Sequence, residues 1–552
     1  MLLHMCMCTW MHNIYTYILS TCVWTLLPYS YLCAGGARAD APSTAGSVRR
    51  VQSPISDHMR RSPLFTALLT LPCHAVGSSP PGGFLHAGVN GQWIDELGRV
   101  RILHGSNRVE KRPPWYFAEM AGGDEEFRLM QKMGFTVIRL GFMWSGANPA
   151  PGVFNATYID IIRGIVDRAA EHGIYTLLDM HEDVLSSKFC LYDGAPLWVV
   201  NKSVPAHPFP WPLSGDCGSR GWEMNAVTEA AATAFQDLYD NTNGMLDDLG
   251  DFWAHAAQAF AGAAGVIGYE IINEPFAGNF YADPTVLLPG VAGLRNLQPM
   301  YDTVARRIRE HDKRHVIFYE PVTWGMIFDS EGAVGSGFSH VPGGSSYANR
   351  SAFSYHYYCN TFVPSYASKP TLRKVVCDDT VAPLVLKAVQ HETARLGGSA
   401  MMTEGLACDY SQATSADECR AVMDDLDAHL FSWTDYGVSQ GSTWAPSAAQ
   451  QEGWARTHAY AIAGTPLNMT FDAATKAFAF CFTVDHAIDA PTEIFASLTY
   501  SYAAGRAVST TPNLRVDAPA GDDVVLVRPA DARMLMGMED RDAVGCVQIR
   551  RA

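Results

Sequence analysis

Between residues 100 and 433 the chain repeats one pattern, a short apolar run followed by a longer stretch with apolar residues on one helical face. The runs occupy 100–104, 136–140, 174–180, 266–272, 315–319, 353–356, 400–403 and 429–433. Helical spacing appears at 158–172, 226–239, 300–311 and 381–396. Continuous apolar runs suit strands covered on both faces, and strand–helix alternation predicts a parallel sheet. Eight such units predict an α/β chain folded as a closed (β/α)8 barrel. The rival, an open doubly wound sheet, calls for a glycine-rich phosphate loop after the first strand, and His104-Gly105-Ser106-Asn107-Arg108 is not one. Beyond about residue 465 the pattern changes. Stretches 477–483, 491–502, 514–516 and 523–527 read as strands with no long helix between them, which predicts a small carboxyl-terminal β-sandwich. The expected organisation is a leader and linker over 1–82, a barrel over 83–462 and a sandwich over 463–552.

Composition supports a folded body: 48% of the 552 residues are hydrophobic and 17% charged. The formal net charge of −16 argues against nucleic acid as a partner and leaves neutral sugars open. Of 13 cysteines, eight lie beyond residue 75, none in a CxxC pair. Nearest-neighbour disulfides Cys190/Cys217, Cys359/Cys377 and Cys408/Cys419 are the first expectation, with buried free thiols the alternative. Sequons at Asn155, Asn201, Asn349 and Asn468 also favour a secretory route. Residues 1–36 carry no charged side chain and could form a signal anchor. Met59-Arg60-Arg61 followed by an apolar stretch and Cys73-His74-Ala75 reads as a signal peptide with Met59 as the start. Either reading leads to a secreted protein or one held in a secretory or lysosomal-type compartment.

Catalytic groups of such barrels sit at the carboxyl ends of strands. There the sequence offers Arg139, then His181 and Asp183, then Asn273-Glu274-Pro275, then His356 and Tyr358, then Glu404, then Trp433. Two glutamates facing each other across one mouth suit glycoside cleavage, in which one carboxyl group protonates the leaving oxygen and the other attacks the sugar. Crowding of two carboxyl groups raises the pKa of one of them, as an acid at neutral pH requires. Arg139 is expected to keep Glu404 ionised, Asn273 to bind a sugar 2-hydroxyl, and His356 or Tyr358 to orient a carboxylate. Trp433 and Trp198 offer flat faces to sugar rings, and Asp183 and Lys111 are hydroxyl binders. Each also has a plainer reading: a structural arginine, a core histidine at 181, a core tryptophan at 198. Metal ligation by His181, Asp183 and His356 finds no HExxH-type spacing in support, and no metal or cofactor is expected.

The motifs 135–140, 148–154, Leu178-Asp179-Met180-His181-Glu182-Asp183-Val184, 194–198 and 273–278, with the late runs 463–466 and 490–495, resemble glycoside hydrolase family 5 and its endoglycoceramidase-related group. The resemblance covers about residues 85–505. It implies retention, Glu274 as acid/base, Glu404 as nucleophile, and sugar contacts from Asp183, Lys111 and Trp198. It also implies cleavage between the glycan and the ceramide of a glycosphingolipid. The sequence departs from the group at Thr403-Glu404-Gly405-Leu406, where Gly-Glu-Phe-Gly is usual, and Trp444 competes with Trp433. The segment after Glu274, from Phe276 to Leu294, is unusually apolar for a loop at a barrel mouth and could line a leaving-group cleft or touch a bilayer surface. A helix packed on the barrel is the plainer reading. Rival functions are a glucosylceramidase or steryl glucosidase, a cellulase-type glucanase, and a non-catalytic glycolipid-binding protein.

Overall fold

A computed structural model describes residues 80–552, apart from 81, 89–90, 191–193, 220, 323–334, 438–443, 518–521 and 531–543. The leader and its expected signal peptide lie outside the described residues. Short strands β1 (His86–Ala87), β2 (Trp93–Ile94) and β3 (Val100–Arg101) precede the barrel. Eight parallel strands then close on themselves: β4 (His104–Arg108), β5 (Val137–Gly141), β6 (Tyr175–Asp179), β7 (Val266–Glu270), β8 (Val316–Tyr319), β9 (Ser351–Tyr357), β10 (Ser399–Gly405) and β11 (Ser432–Asp435). Helices α1 (Ala156–Glu171), α2 (Glu229–Tyr239), α3 (Met245–Phe260), α4 (Gln298–Arg309), α5 (Ala382–Leu396) and α6 (Ala413–His429) lie between strands. Asn155 and Thr228 cap α1 and α2 by accepting backbone N–H groups of Tyr158 and Ala231. Neighbouring strands approach so closely at Gly268 that a Cβ there would meet the Val316 carbonyl oxygen at 2.2 Å, which explains a glycine inside a buried strand.

Two expected strands are displaced. The first run splits: Val100–Arg101 pairs outside the barrel, and the barrel strand begins only at His104. At the other end α6 runs through His429, Leu430 turns left-handed (φ 58°), and the strand is Ser432–Asp435 rather than 429–433. The shift changes which residue of that strand reaches the mouth.

The rest of the chain forms β12 (His458–Ile462), β13 (Gly464–Asp472), β14 (Ala477–Val484), β15 (Thr492–Phe495), β16 (Arg506–Thr510), β17 (Leu514–Val516), β18 (Val524–Pro529) and β19 (Val544–Arg551). Two sheets result, one ordered β1-β2-β3-β12-β15-β18-β17 and one ordered β13-β14-β19-β16. Residues of β14 alternate between buried and half-buried, the pattern of a strand with one face on a core. Phe478, Phe480 and Phe482 meet Val100, Ile494, Val525 and Ile549 there. Each fully buried side chain of this size contributes roughly 1.5–3 kcal/mol. The three expected disulfides form, and Cys481–Cys546 joins β14 to β19. No helix among the described residues is long and apolar enough to cross a membrane.

Candidate active site

Arg139 on β5 is the hub of the mouth. Its guanidinium donates to Glu270 (2.5 Å), Glu404 (2.6 Å), Asn273 (2.8 Å) and Asn107 (3.0 Å), and lies 3.1 Å from a carboxylate oxygen of Asp179. Five neighbours on four strands and one loop are thus held by one planar fork, a task a lysine could not perform. Burial opposes the charge, but Asp179, Glu270 and Glu404 keep the Arg139 pKa well above its ordinary value.

Glu404 sits on β10 opposite His356 of β9, just after a register shift between Met402 and Glu404. Such a bulge re-aims a side chain, here toward Arg139. One Glu404 oxygen accepts from Arg139, and the other accepts from the Tyr358 hydroxyl at 2.9 Å. Burial pushes its carboxyl up, yet His356, Arg139 and His181 together hold it below the ordinary carboxylate range. It is a well-oriented anion.

Glu274 follows β7 in the Asn-Glu-Pro turn with φ at 41°, a left-handed conformation rare for a side chain of this size. Its carboxylate pairs with His356 Nδ1 at 2.8 Å, and its backbone N–H donates to Glu320 at 2.8 Å. Asn273 accepts from Arg139 and donates to the Glu182 carbonyl at 2.7 Å, so its amide is fixed. One ligand atom each from Glu274, His356 and Glu404 lies within 4.8 Å of the other two.

The charge distribution corrects one expectation. Glu274 is not the carboxyl group with the raised pKa: burial pushes it up, but the hydrogen bond and charge of His356 bring it below the ordinary range. Burial pulls His356 down, and Glu320, Glu404 and Glu274 override that to raise it to about 10. The proton shared by Glu274 and His356 therefore rests on the imidazole. Asp179 is pushed up to about 7 by burial, against the pull of Arg139.

A second cluster borders the first. His181 shares a 2.8 Å hydrogen bond with Asp179, and its other nitrogen lies 3.4 Å from the Tyr436 hydroxyl. Burial, then Lys111, lowers His181 to about 3, so the ring is neutral. Lys111 pairs with Asp183 at 2.5 Å.

The amino-acid sequence matches the model "Cellulase (glycosyl hydrolase family 5)" over residues 100–439 and the "Glycoside hydrolase family 5 C-terminal domain" over 456–534. An endoglycoceramidase of Cyanea nozakii is 36% identical over 427 residues, covering 71% of this chain and 80% of the relative. The chain belongs to glycoside hydrolase family 5. Among solved structures, endo-glycoceramidase II from Rhodococcus sp. as a lactosyl-enzyme intermediate superimposes with a TM-score of 0.67 at 21% identity, covering 85% of this chain and all of the other. The ganglioside GM3 complex of the same enzyme gives 0.66 at 21%, covering 83% and 99%.

Within this glycoside hydrolase barrel, Trp433 is not at the mouth, a second correction. It is fully buried, stacked on His104 at 4.5 Å and edge-on to Phe135 at 5.9 Å. The displaced eighth strand turns it away and sends Tyr436 to the site, where its ring lies parallel to His181 at 5.8 Å. Trp444 is also buried, stacked on Trp454. Trp198 donates to the Asn148 carbonyl at 3.1 Å, and the Lys202 ammonium lies 5.2 Å over its ring. Asn107, Asp179, Glu270, Glu320 and Tyr436 were not foreseen as site residues. A signal existed for the glutamates: Glu270 is a lone charge inside an apolar run, Glu320 directly follows another, and Glu320-Pro321 echoes Glu274-Pro275.

The apolar segment after Glu274 mostly packs inward. Phe276 and Phe280 form a T-shaped pair, Phe280 stacks on Tyr281, and only Leu288 and Leu294 stand out, at 51% and 55% exposure.

Proposed function

We propose that this chain is a retaining endo-glycosidase that cleaves the bond between the glycan and the ceramide of glycosphingolipids, with Glu274 as acid/base and Glu404 as nucleophile. The observation that carries this is the close approach of Glu274, His356 and Glu404, all within 4.8 Å. Retaining glycosidases set their carboxyl groups about 5–5.5 Å apart, whereas inverting ones need about 6.5–9.5 Å to admit a water. The ganglioside complex and lactosyl-enzyme form of the Rhodococcus relative support the same substrate class and the covalent route.

The chemistry follows from the hydrogen bonds. Glu404, held ionised by Arg139 and Tyr358, attacks the anomeric carbon. His356 passes its proton to Glu274 through their shared hydrogen bond, and Glu274 gives it to the departing ceramide oxygen, which leaves Glu274 an anion. Water then enters where ceramide left, Glu274 takes its proton, and the ester to Glu404 opens. In this reading the second hydrogen of the Asn273 amide serves the sugar 2-hydroxyl, and Lys111, Asp183 and Tyr436 serve hydroxyls further along the glycan.

We also propose that the mouth rests on a lipid surface. Loops leaving β6 and β7 expose Leu197, Val204, Leu288 and Leu294, with Val204 82% exposed. Four disulfides support a secretory or lysosomal-type compartment. The test is product analysis on fluorescent lactosylceramide in micelles and in vesicles. Whole oligosaccharide plus ceramide is expected, lost in Glu274→Gln and Glu404→Gln. Release of single sugars, or turnover by either variant near the parent rate, sinks the reading. A Leu288→Ser/Leu294→Ser pair should slow vesicle hydrolysis only; equal loss in micelles refutes the docking surface.

A further inference from the structure

Beneath the Glu274–His356 pair lies a third glutamate that the two-carboxylate mechanism does not use. Glu320 follows β8 directly and is 1% exposed. One of its carboxyl oxygens accepts the Glu274 backbone N–H at 2.8 Å, and the other lies 3.4 Å from His356 Nδ1. Its own backbone is clamped from α4: the Glu320 N–H donates to the Tyr301 hydroxyl at 3.0 Å, and that hydroxyl donates to the Glu320 carbonyl at 2.8 Å. The same carboxyl group therefore touches the main chain of the proposed acid/base and the ring that holds its proton.

We propose that Glu320 is a positioning residue for general acid–base catalysis, pinning Glu274 in its left-handed turn and holding the His356 ring against it. The inference rests on the reading of Glu274 as acid/base. The backbone N–H of a residue with φ at 41° has no helix or strand partner, and a buried N–H needs an acceptor. Glu320 supplies it from a rigid neighbour, so the Glu274 carboxyl cannot swing with its loop. Small errors in the aim of an acid cost large factors in rate, because proton transfer needs hydrogen-bond geometry. The groups facing Glu320 are His356 of β9, Glu270 of β7, Glu274 beyond it, Tyr301 of α4 and Glu182 beyond β6, with Glu404 of β10 across the imidazole. Burial first, then Glu274 and Glu270, push the Glu320 carboxyl well above its ordinary range, and once ionised at higher pH it raises His356 in turn. Together the cluster retains protons beside the leaving oxygen.

The test compares two leaving groups. Lactosylceramide needs its oxygen protonated on departure; 2,4-dinitrophenyl β-lactoside does not. Glu320→Ala should lower kcat/KM on lactosylceramide by about tenfold or more, a share of the effect of general acid catalysis. On the activated lactoside the loss should shrink to within about threefold. Glu320→Gln keeps an acceptor for the Glu274 N–H but removes the carboxyl group that ionises beside His356 at higher pH. It should move the alkaline limb of the kcat/KM profile to lower pH. Equal losses of Glu320→Ala on both substrates, or an unmoved alkaline limb in Glu320→Gln, overturn the proposal. Glu274→Gln run in parallel separates the two readings. If its loss does not depend on the leaving group, the acid/base assignment fails; if it does and that of Glu320→Ala does not, only the role of Glu320 fails.

Discussion

Replacing Tyr358 with phenylalanine removes one oxygen and one hydrogen bond, the 2.9 Å donation to Glu404. Burial and the neighbouring Glu404 push the Tyr358 pKa well above its ordinary value, so the hydroxyl is a donor throughout the working pH range. The acceptor changes during the reaction. Glu404 is an anion before attack, an ester in the glycosyl-enzyme, and an anion again on release. A hydrogen bond to an ion is worth about 1.5–3 kcal/mol and one to an ester oxygen about 1 kcal/mol. The bond therefore strengthens as water frees Glu404. Its loss raises the barrier of the second step by roughly 1–2 kcal/mol, about 5- to 30-fold in rate. In the first step the anion is the starting state, so losing the bond raises the starting level as well as the barrier top, and the net effect is smaller. Arg139 still holds the other oxygen, so Glu404 stays aimed. Tyr358→Phe should therefore accumulate glycosyl-enzyme, seen as a burst of dinitrophenol from an activated lactoside and as a sugar adduct in intact-protein mass spectra. If the burst rate falls as far as steady-state turnover and no adduct builds up, the hydroxyl does not act on the departing carboxylate.

Two further outcomes follow from the same geometry. Trp433→Ala should cost about 3–5 kcal/mol of stability while leaving KM near that of the parent, because the ring is core. Tyr436→Ala should raise KM with little change in melting temperature, and the reverse pattern would restore Trp433 to the site. Stability should fall as pH rises from about 6 to 9, measured as melting temperature by calorimetry. Asp179 and Glu418, raised to about 7 and about 8 chiefly by burial, contribute stability that is complete below the unfolded carboxylate pKa and is lost as pH passes the folded values. For His356, raised to about 10, the contribution is complete below 6.5 and lost toward 10. His181 and His458, lowered to about 3 and about 4, act with the opposite sign but only below 6.5. A melting temperature that climbs between pH 6 and 9 would contradict these charge states.

The barrel was legible because its strands are buried on both faces, and lone polar residues at the ends of such runs stand out. Arg139, Asn273, Glu274, His356, Tyr358 and Glu404 were found in this way, and the structure gathers them. The errors arose where the apolar pattern runs past an element boundary. Val100 is apolar because it faces the sandwich core, not because it belongs to the barrel. His429 and Leu430 close a helix before the strand of Trp433 begins at Ser432. Neither boundary leaves a mark in periodicity alone, and a two-residue error at a strand end leaves the residue expected at the mouth two positions down the strand, as with Trp433 on a strand that ends at Asp435. The location of the site proton was also out of reach, since it depends on three carboxyl groups converging on one imidazole from separate strands and loops.

The order of the seven-stranded sheet bears on how the molecule can be divided. Strand β3, which precedes the barrel, pairs with β12, which follows it, and β12 pairs in turn with β15. The barrel is thus a long excursion between two adjacent ribbons of one sheet. Cutting the chain after residue 462 would strip β12 of its outer neighbour and open Val100, Ile102 and Ile462 to water. The catalytic half is accordingly not a detachable part: its two ends are tied into the same fabric, and shortened versions should precipitate rather than work alone.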